Sequence, residues 1–289
     1  MRLFDTHCHI ADPRFDADRD EVIQRFLDAG VARALVVADP REPIWDGPED
    51  EGGQLVSVGN EAKVFSIVED RDFLCGAIGV HPHNASGWDA DAEATVRKYL
   101  AHPGCRLLGE IGLDYHYDLS PRDVQRDVFD RQLDMAFDRG IPVQLHIREA
   151  HGDCMDMLRA RARAGRMPGG IMHCYTGSWE AAKVYQDLGL YISLSGAVTF
   201  KNAPKLAEVA RNAPADRLLI ETDCPYMAPV PLRGRRNEPA FIVHTFGRVA
   251  ELRGEDPEAL AERLWENSCA ALGIGDQGTG TGNGPAGSP

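Results

Sequence analysis

Six side chains that can bind a divalent metal, His7, His9, Glu110, His146, His173 and Asp223, close or interrupt separate apolar runs in a chain of 289 residues. His7 and His9 are two apart in an extended run, so both imidazoles project from one face and Cys8 from the other. Alone, H-x-H fits a hydrogen-bonded pair as well as a metal pair. Glu110 changes that reading, because a buried carboxylate inside RLLGEIGLD is costly unless it is paired or bound to metal. Placed between two ions, it bridges them. His146 closes PVQLHIR, His173 closes GGIMHCY, and Asp223 follows LLIET. A carboxylate touching a metal-bound water both positions it and accepts its proton, which makes Asp223 and Glu110 the catalytic candidates. Glu221 and Asp5, two residues before Asp223 and His7, read as partners bracing those ligands from behind.

Ligands spread over more than two hundred residues meet only if their strands close into a barrel whose carboxyl ends face one point. Eight short apolar runs fit such strands: Leu3 to His9, Ala34 to Ala38, Leu74 to Val80, Leu107 to Gly112, Val143 to Ile147, Gly170 to Cys174, Tyr191 to Leu194 and Leu218 to Thr222. Helical patterns alternate with them. The clearest runs from Pro121 to Arg139, with Ser120 as N-cap and Gly140 as C-cap. Others fit Asp18 to Ala29, Asn60 to Asp70, Asp89 to Ala101, Gly152 to Ala164, Trp179 to Leu188, Ala203 to Asn212, Pro239 to Leu252 and Pro257 to Leu272. The alternation predicts an α/β fold, a (β/α)8 TIM-like barrel in a single domain over residues 1–274. An open doubly wound sheet is the alternative that periodicity leaves standing.

Two segments fall outside this plan. The Gly-rich stretch 275–289 has too little apolar surface to pack and reads as a disordered tail. Asp39 to Gly53 carries six carboxylates, one Arg and three prolines, and reads as a solvated acidic loop or one that shapes substrate access.

The net charge of -14 gives no general attraction to nucleic acid or to an anionic membrane, so no extended nucleic-acid surface is expected. Seven cysteines without C-x-x-C spacing, the absence of a signal-peptide pattern and the lack of a long apolar run point to the reducing cytoplasm. Mixed imidazole and carboxylate ligands suit Zn, Mn or Fe, with Mg possible for phosphoryl transfer.

Blocks through nearly the whole chain now carry a resemblance: DTHCH from Asp5, GVHPH from Gly79, GEIGLDY from Gly109, QLHIREA from Gln144, MHCYTG from Met172, YISLSGAVTFKN from Tyr191 and ETDCPYMAPVPLRGRRNEP from Glu221. In these the chain resembles the TatD family of metal-dependent hydrolases. The resemblance implies two divalent cations, one held by His7, His9, Glu110 and Asp223, the other by Glu110, His146 and His173. It also implies a deoxyribonuclease acting 3′ to 5′ on single-stranded ends. Related members deacylate D-aminoacyl-tRNA, so the substrate classes are nucleic-acid ends or a small acyl compound, an ester, amide or imide. Arg148, two residues after His146, and Arg233 and Arg235, in the loop after Asp223, are candidates for binding phosphate. His81 and Tyr115 are candidates for lining the mouth. Arg235 stands where the family usually has Lys.

Overall fold

The computed structural model describes residues 1–45 and 55–275. Among these the strands are β1 (Leu3–Cys8), β2 (Val31–Ala38), β3 (Pro43–Trp45), β4 (Leu55–Val58), β5 (Leu74–Ile78), β6 (Cys105–Asp114), β7 (Val143–Arg148), β8 (Gly170–Met172), β9 (Leu190–Leu194) and β10 (Leu218–Ile220). All but β3 and β4 join one parallel sheet in chain order. Past the end of β10, Asp223 N donates to His7 O at 3.0 Å and His9 N to Cys224 O at 2.8 Å, closing the sheet against β1. The fold is the (β/α)8 barrel that the alternation predicts. Its strands are apolar because both of their faces are buried, one inside the barrel and one beneath helices.

The helices are α1 (Arg19–Asp28), α2 (Glu61–Glu69), α3 (Ala90–Tyr99), α4 (Arg122–Arg139), α5 (His151–Arg163), α6 (Trp179–Asp187), α7 (Pro204–Asn212), α8 (Ile242–Arg253) and α9 (Pro257–Ala271). In α4, Val128, Phe129, Leu133 and Ala136 are buried against the barrel. Gly140 ends it at φ 65, a left-handed conformation suited to glycine. Ser120 does not cap it, since its hydroxyl donates to His83 O and accepts from Ser86 N; Pro121 holds the cap position instead. At the amino end of the barrel, Phe4, Leu35, Leu107 and Leu219 pack with Trp265 and Leu272 of the last helical segment.

Four expectations change. Glu110 lies within β6, which runs on to Asp114, and a register shift against β7 between Leu108 and Ile111 brackets it. His173 lies just beyond β8 rather than in it, and β10 ends at Ile220, two residues before the expected Thr222. Strict alternation fails in β1: Thr6 meets Ser193 of β9 while His7 meets Gln144 of β7, both across the barrel, with a register shift between Asp5 and Cys8. The described part of the acidic segment is ordered: β3 and β4 form an antiparallel hairpin, and Asp39 is buried, accepting from Arg41 N, His81 N and Asn84 Nδ2. The remainder of that segment, residues 46–54, and the tail residues 276–289 lie outside the described residues.

Candidate metal centre

Closure of the barrel brings the six candidate ligands together at the carboxyl ends of the strands. His7 Nε2 is 2.9 Å from His9 Nε2, and 3.6 Å from both Glu110 Oε2 and Asp223 Oδ1. Asp223 Oδ1 also lies 3.5 Å from His9 Nε2. On the other side of Glu110, Oε1 faces His146 Nδ1 at 2.7 Å, His173 Nε2 at 3.3 Å and His81 Nε2 at 3.5 Å. The two carboxylate oxygens of one residue thus look toward two different sets of imidazoles.

The side chains behind the ligands decide which ring nitrogen is free. Gln144 Nε2 donates to Thr6 O, which turns its Oε1 toward His7 Nδ1 at 2.8 Å. A carboxamide oxygen only accepts, so Nδ1 carries the hydrogen and the Nε2 lone pair faces the cluster. His173 Nδ1 lies 2.8 Å from Glu221 Oε1, and His146 Nε2 lies 3.1 Å from Asp114 Oδ2. Each of the three rings therefore turns one nitrogen to a protein acceptor and the other to the carboxylates, the arrangement that orients histidines for metal. Lone pairs converging with two carboxylates at such distances fit divalent cations.

The local field agrees. Burial works against ionised Glu110, but the imidazoles of His173, His81 and His7 hold its carboxyl well below the usual range. Asp223 is likewise held low, against burial, by its hydrogen bond to His9 and the charge of His173. Burial also opposes protonation of His173, yet Glu221 and Glu110 push it up to about 10. Cations placed among these groups relieve both conflicts, because they stabilise the carboxylates and need neutral imidazoles.

Backbone geometry aims the ligands. Asp223 adopts φ 56, a left-handed conformation that Asp tolerates better than most residues. Asp5 accepts from His7 N, Thr222 N and Thr222 Oγ1, so it ties together the two segments carrying His7 and Asp223 rather than bracing a ring. Gly112 has φ 149, and a Cβ there would lie 2.0 Å from His146 O, so β6 and β7 approach this closely only with glycine.

Of the substrate candidates, only His81 faces the cluster in this way. The Tyr115 hydroxyl donates to Asp153 at 2.6 Å on α5. Arg148 lies over the Tyr117 ring at 4.7 Å and Arg233 over Phe200 at 4.1 Å, while Arg235 is exposed. Asp114 and Gln144, neither of which the sequence singles out as a site residue, stand directly behind the candidate ligands His146 and His7. Asp114 Oδ2 also meets His83 Nε2 at 2.8 Å. The available signals were a carboxylate ending the β6 run and a Gln two residues before His146.

A closed parallel barrel with this constellation at its carboxyl end defines a metal-dependent hydrolase barrel. Comparison with known proteins gives the family. The model of TatD related DNase matches residues 4–273. The uncharacterized metal-dependent hydrolase YabD of Bacillus subtilis (strain 168) is 38% identical over 266 residues, covering 92% of this chain and 97% of its own. The 3'-5' ssDNA/RNA exonuclease TatD of Rahnella sp. (strain Y9602) is 34% identical over 271 residues, covering 92% and 96%. Among solved structures, YJJV, a TatD homolog from Escherichia coli K12, superposes with a TM-score of 0.82 at 29% identity, covering 94% of this chain and 98% of its own. The chain belongs to the TatD family and is a metal-dependent hydrolase. Among the described residues no helix is long and apolar enough to cross a membrane.

Proposed function

We propose that the protein is a two-metal nuclease of the cytoplasm that removes nucleotides from the 3′ end of single-stranded DNA. The observation that carries this reading is Glu110, whose Oε2 faces His7 and whose Oε1 faces His146 and His173. His7, His9, Glu110 and Asp223 would hold one ion and Glu110, His146 and His173 the other. When bound, such ions would lower the pKa of a coordinated water and neutralise charge developing on a phosphoryl oxygen. Zn, Mn, Fe or Mg suits the donor set.

The chain's own groups do the rest. Asp223, kept ionised, accepts the proton of the attacking water. His81 Nδ1 accepts from His83 N at 3.2 Å, and burial pushes its pKa down to about 4, so the neutral ring carries its hydrogen on Nε2. That N–H points toward the Glu110 side of the cluster and is placed to donate to a phosphoryl oxygen. The name borne by the Rahnella relative supports the substrate class.

The test is metal-depleted protein reconstituted with single ions and given 3′-blocked and 5′-blocked oligonucleotides, D-aminoacyl-tRNA and simple imides. Cleavage that a 3′ block stops is the expected result. Turnover of an acyl substrate with indifference to oligonucleotides under every ion removes the nuclease reading.

A further inference from the structure

In a chain of net charge -14, Lys201, Arg211 and Arg233 are three of the cations, with others such as Lys183 and Arg217, that have no carboxylate partner among the described residues. These three gather at one place. Lys201 and Arg211 line a cavity of about 570 Å³ together with His244 and Arg248, and Arg233 covers Phe200 in its wall. Glu251 is the one acidic residue of the lining, and Arg248 already binds it at 2.5 Å. The cavity is a groove between two helices. Ala203, Ala207 and Arg211 follow α7 at four-residue steps, and His244, Arg248 and Glu251 follow α8 at helical spacing. From Ala203 to Arg211 the groove runs about 12 Å along the helix axis.

Its upper end is built by the loops that follow β9 and β10, the latter carrying Asp223. The loop after β9 supplies Val198 to Lys201, and the loop after β10 supplies Val230. Ser195 Oγ, at the start of the first loop, lies 3.2 Å from Sγ of Cys174, the neighbour of His173. Thr199 Oγ1 accepts from Val230 N at 2.9 Å and joins the two loops. Loops after the seventh and eighth strands are where such barrels commonly take phosphate. After β2 the mouth instead carries Glu42, so that side disfavours a polyanion.

We propose that this groove binds the sugar-phosphate backbone of a single nucleic-acid strand a few nucleotides from the end seated at the metal centre. The proposal rests on the nuclease reading above and extends it. Lys201, Arg211 and Arg233 pair with phosphates, while exposed Val230 gives a base an apolar surface. Contact with nucleic acid then reaches past the metal centre along one flank, more than the overall charge suggests.

The test compares wild type with the double variant Lys201→Glu/Arg211→Glu on a thymidine dinucleotide and on oligothymidylate of about 20 nucleotides, at several salt concentrations. KM for the long strand should rise about tenfold or more, and its logarithmic salt dependence should be shallower by about 1.4, the loss of two phosphate contacts. Hydrolysis of the dinucleotide and the melting temperature should stay at wild-type values. Lys201→Gln/Arg211→Gln should fall between the two proteins, which guards against a folding defect from charge reversal. An unchanged KM and salt slope on the long strand, with nuclease activity intact, overturns the groove and leaves the nuclease reading standing. A wild-type enzyme that cleaves neither substrate overturns both.

Discussion

Asp114 Oδ2 lies 3.1 Å from His146 Nε2 and 2.8 Å from His83 Nε2, so one buried carboxylate oxygen fixes two imidazoles. The first contact leaves His146 Nδ1 to face Glu110. Asp114→Asn keeps one acceptor but loses the charge and one of the oxygens, so His146 is less firmly turned. Partners of this kind commonly contribute about 10–100-fold to metal affinity. The ion concentration giving half-maximal activity should rise by about that factor in Asp114→Asn, with activity recovered at high metal. A half-maximal concentration equal to that of wild type removes Asp114 from this role.

Glu110→Gln tests the bridge. The amide keeps the shape but has only one acceptor atom and no charge, so it cannot serve both imidazole sets. Activity should fall by on the order of a thousandfold, or about 4 kcal/mol of transition-state stabilisation. Bound metal measured after dialysis should drop from two ions per chain to one or none. Two retained ions argue against a shared carboxylate.

The candidate ligands are legible in the sequence because each places a polar, metal-binding group against an apolar strand, where it conflicts with burial unless it has a task. Asp114 and Gln144 are less legible, although both are buried, because their partners His146 and His7 come from other strands and Gln144 reaches its partner across the barrel. The barrel itself is readable from alternating runs and their glycine stops. The β3–β4 hairpin is not, since a three-residue strand beginning at Pro43 gives almost no period to detect. Ser120 looks like a cap by position alone; its hydroxyl is taken by His83 O, a tertiary contact that local pattern does not reveal.

Metal should stabilise the fold as well as activate it, because Glu110 and Asp223 are drawn into a region that favours cations. An ion at about 100 times its dissociation constant adds about 2.7 kcal/mol if it binds only the folded state. Calorimetric melting with ion and with chelator should show a higher transition temperature in the loaded protein. His173→Ala should reduce the shift. Identical transitions in both states contradict the assignment of these side chains as ligands.

Asp39 gives the metal-free protein a pH dependence of known sign. Burial, with the charge of Glu42, raises its pKa from 3.8 to about 7. Between those values the unfolded chain has lost the proton while the folded one keeps it. The unfolded state therefore binds fewer protons, and stability falls as pH rises. The contribution is complete below about pH 4 and gone above about pH 7, with an upper size of about 4 kcal/mol. Urea melts of chelated protein from pH 4 to 8 should show this decline, and Asp39→Asn should flatten it. A slope unchanged by the substitution excludes Asp39 as its source.

Gly112 couples the fold to the centre most directly. Its φ of 149 suits glycine, and an added Cβ would meet His146 O at 2.0 Å, far inside contact distance. Gly112→Ala must push β7 away from β6 or rotate the Gly112 peptide, and both movements displace His146. A clash with backbone cannot be relieved by a rotamer change, so destabilisation should reach or exceed about 4 kcal/mol, the range of severe core defects. Surviving folded protein should have weakened metal binding at the His146 side. Gly140→Ala is the control, since its φ of 65 is strained for alanine but its Cβ meets nothing within 4 Å. It should lower stability by about 1 kcal/mol and leave metal binding intact. Equal effects of the two substitutions on metal binding separate Gly112 from the positioning of His146.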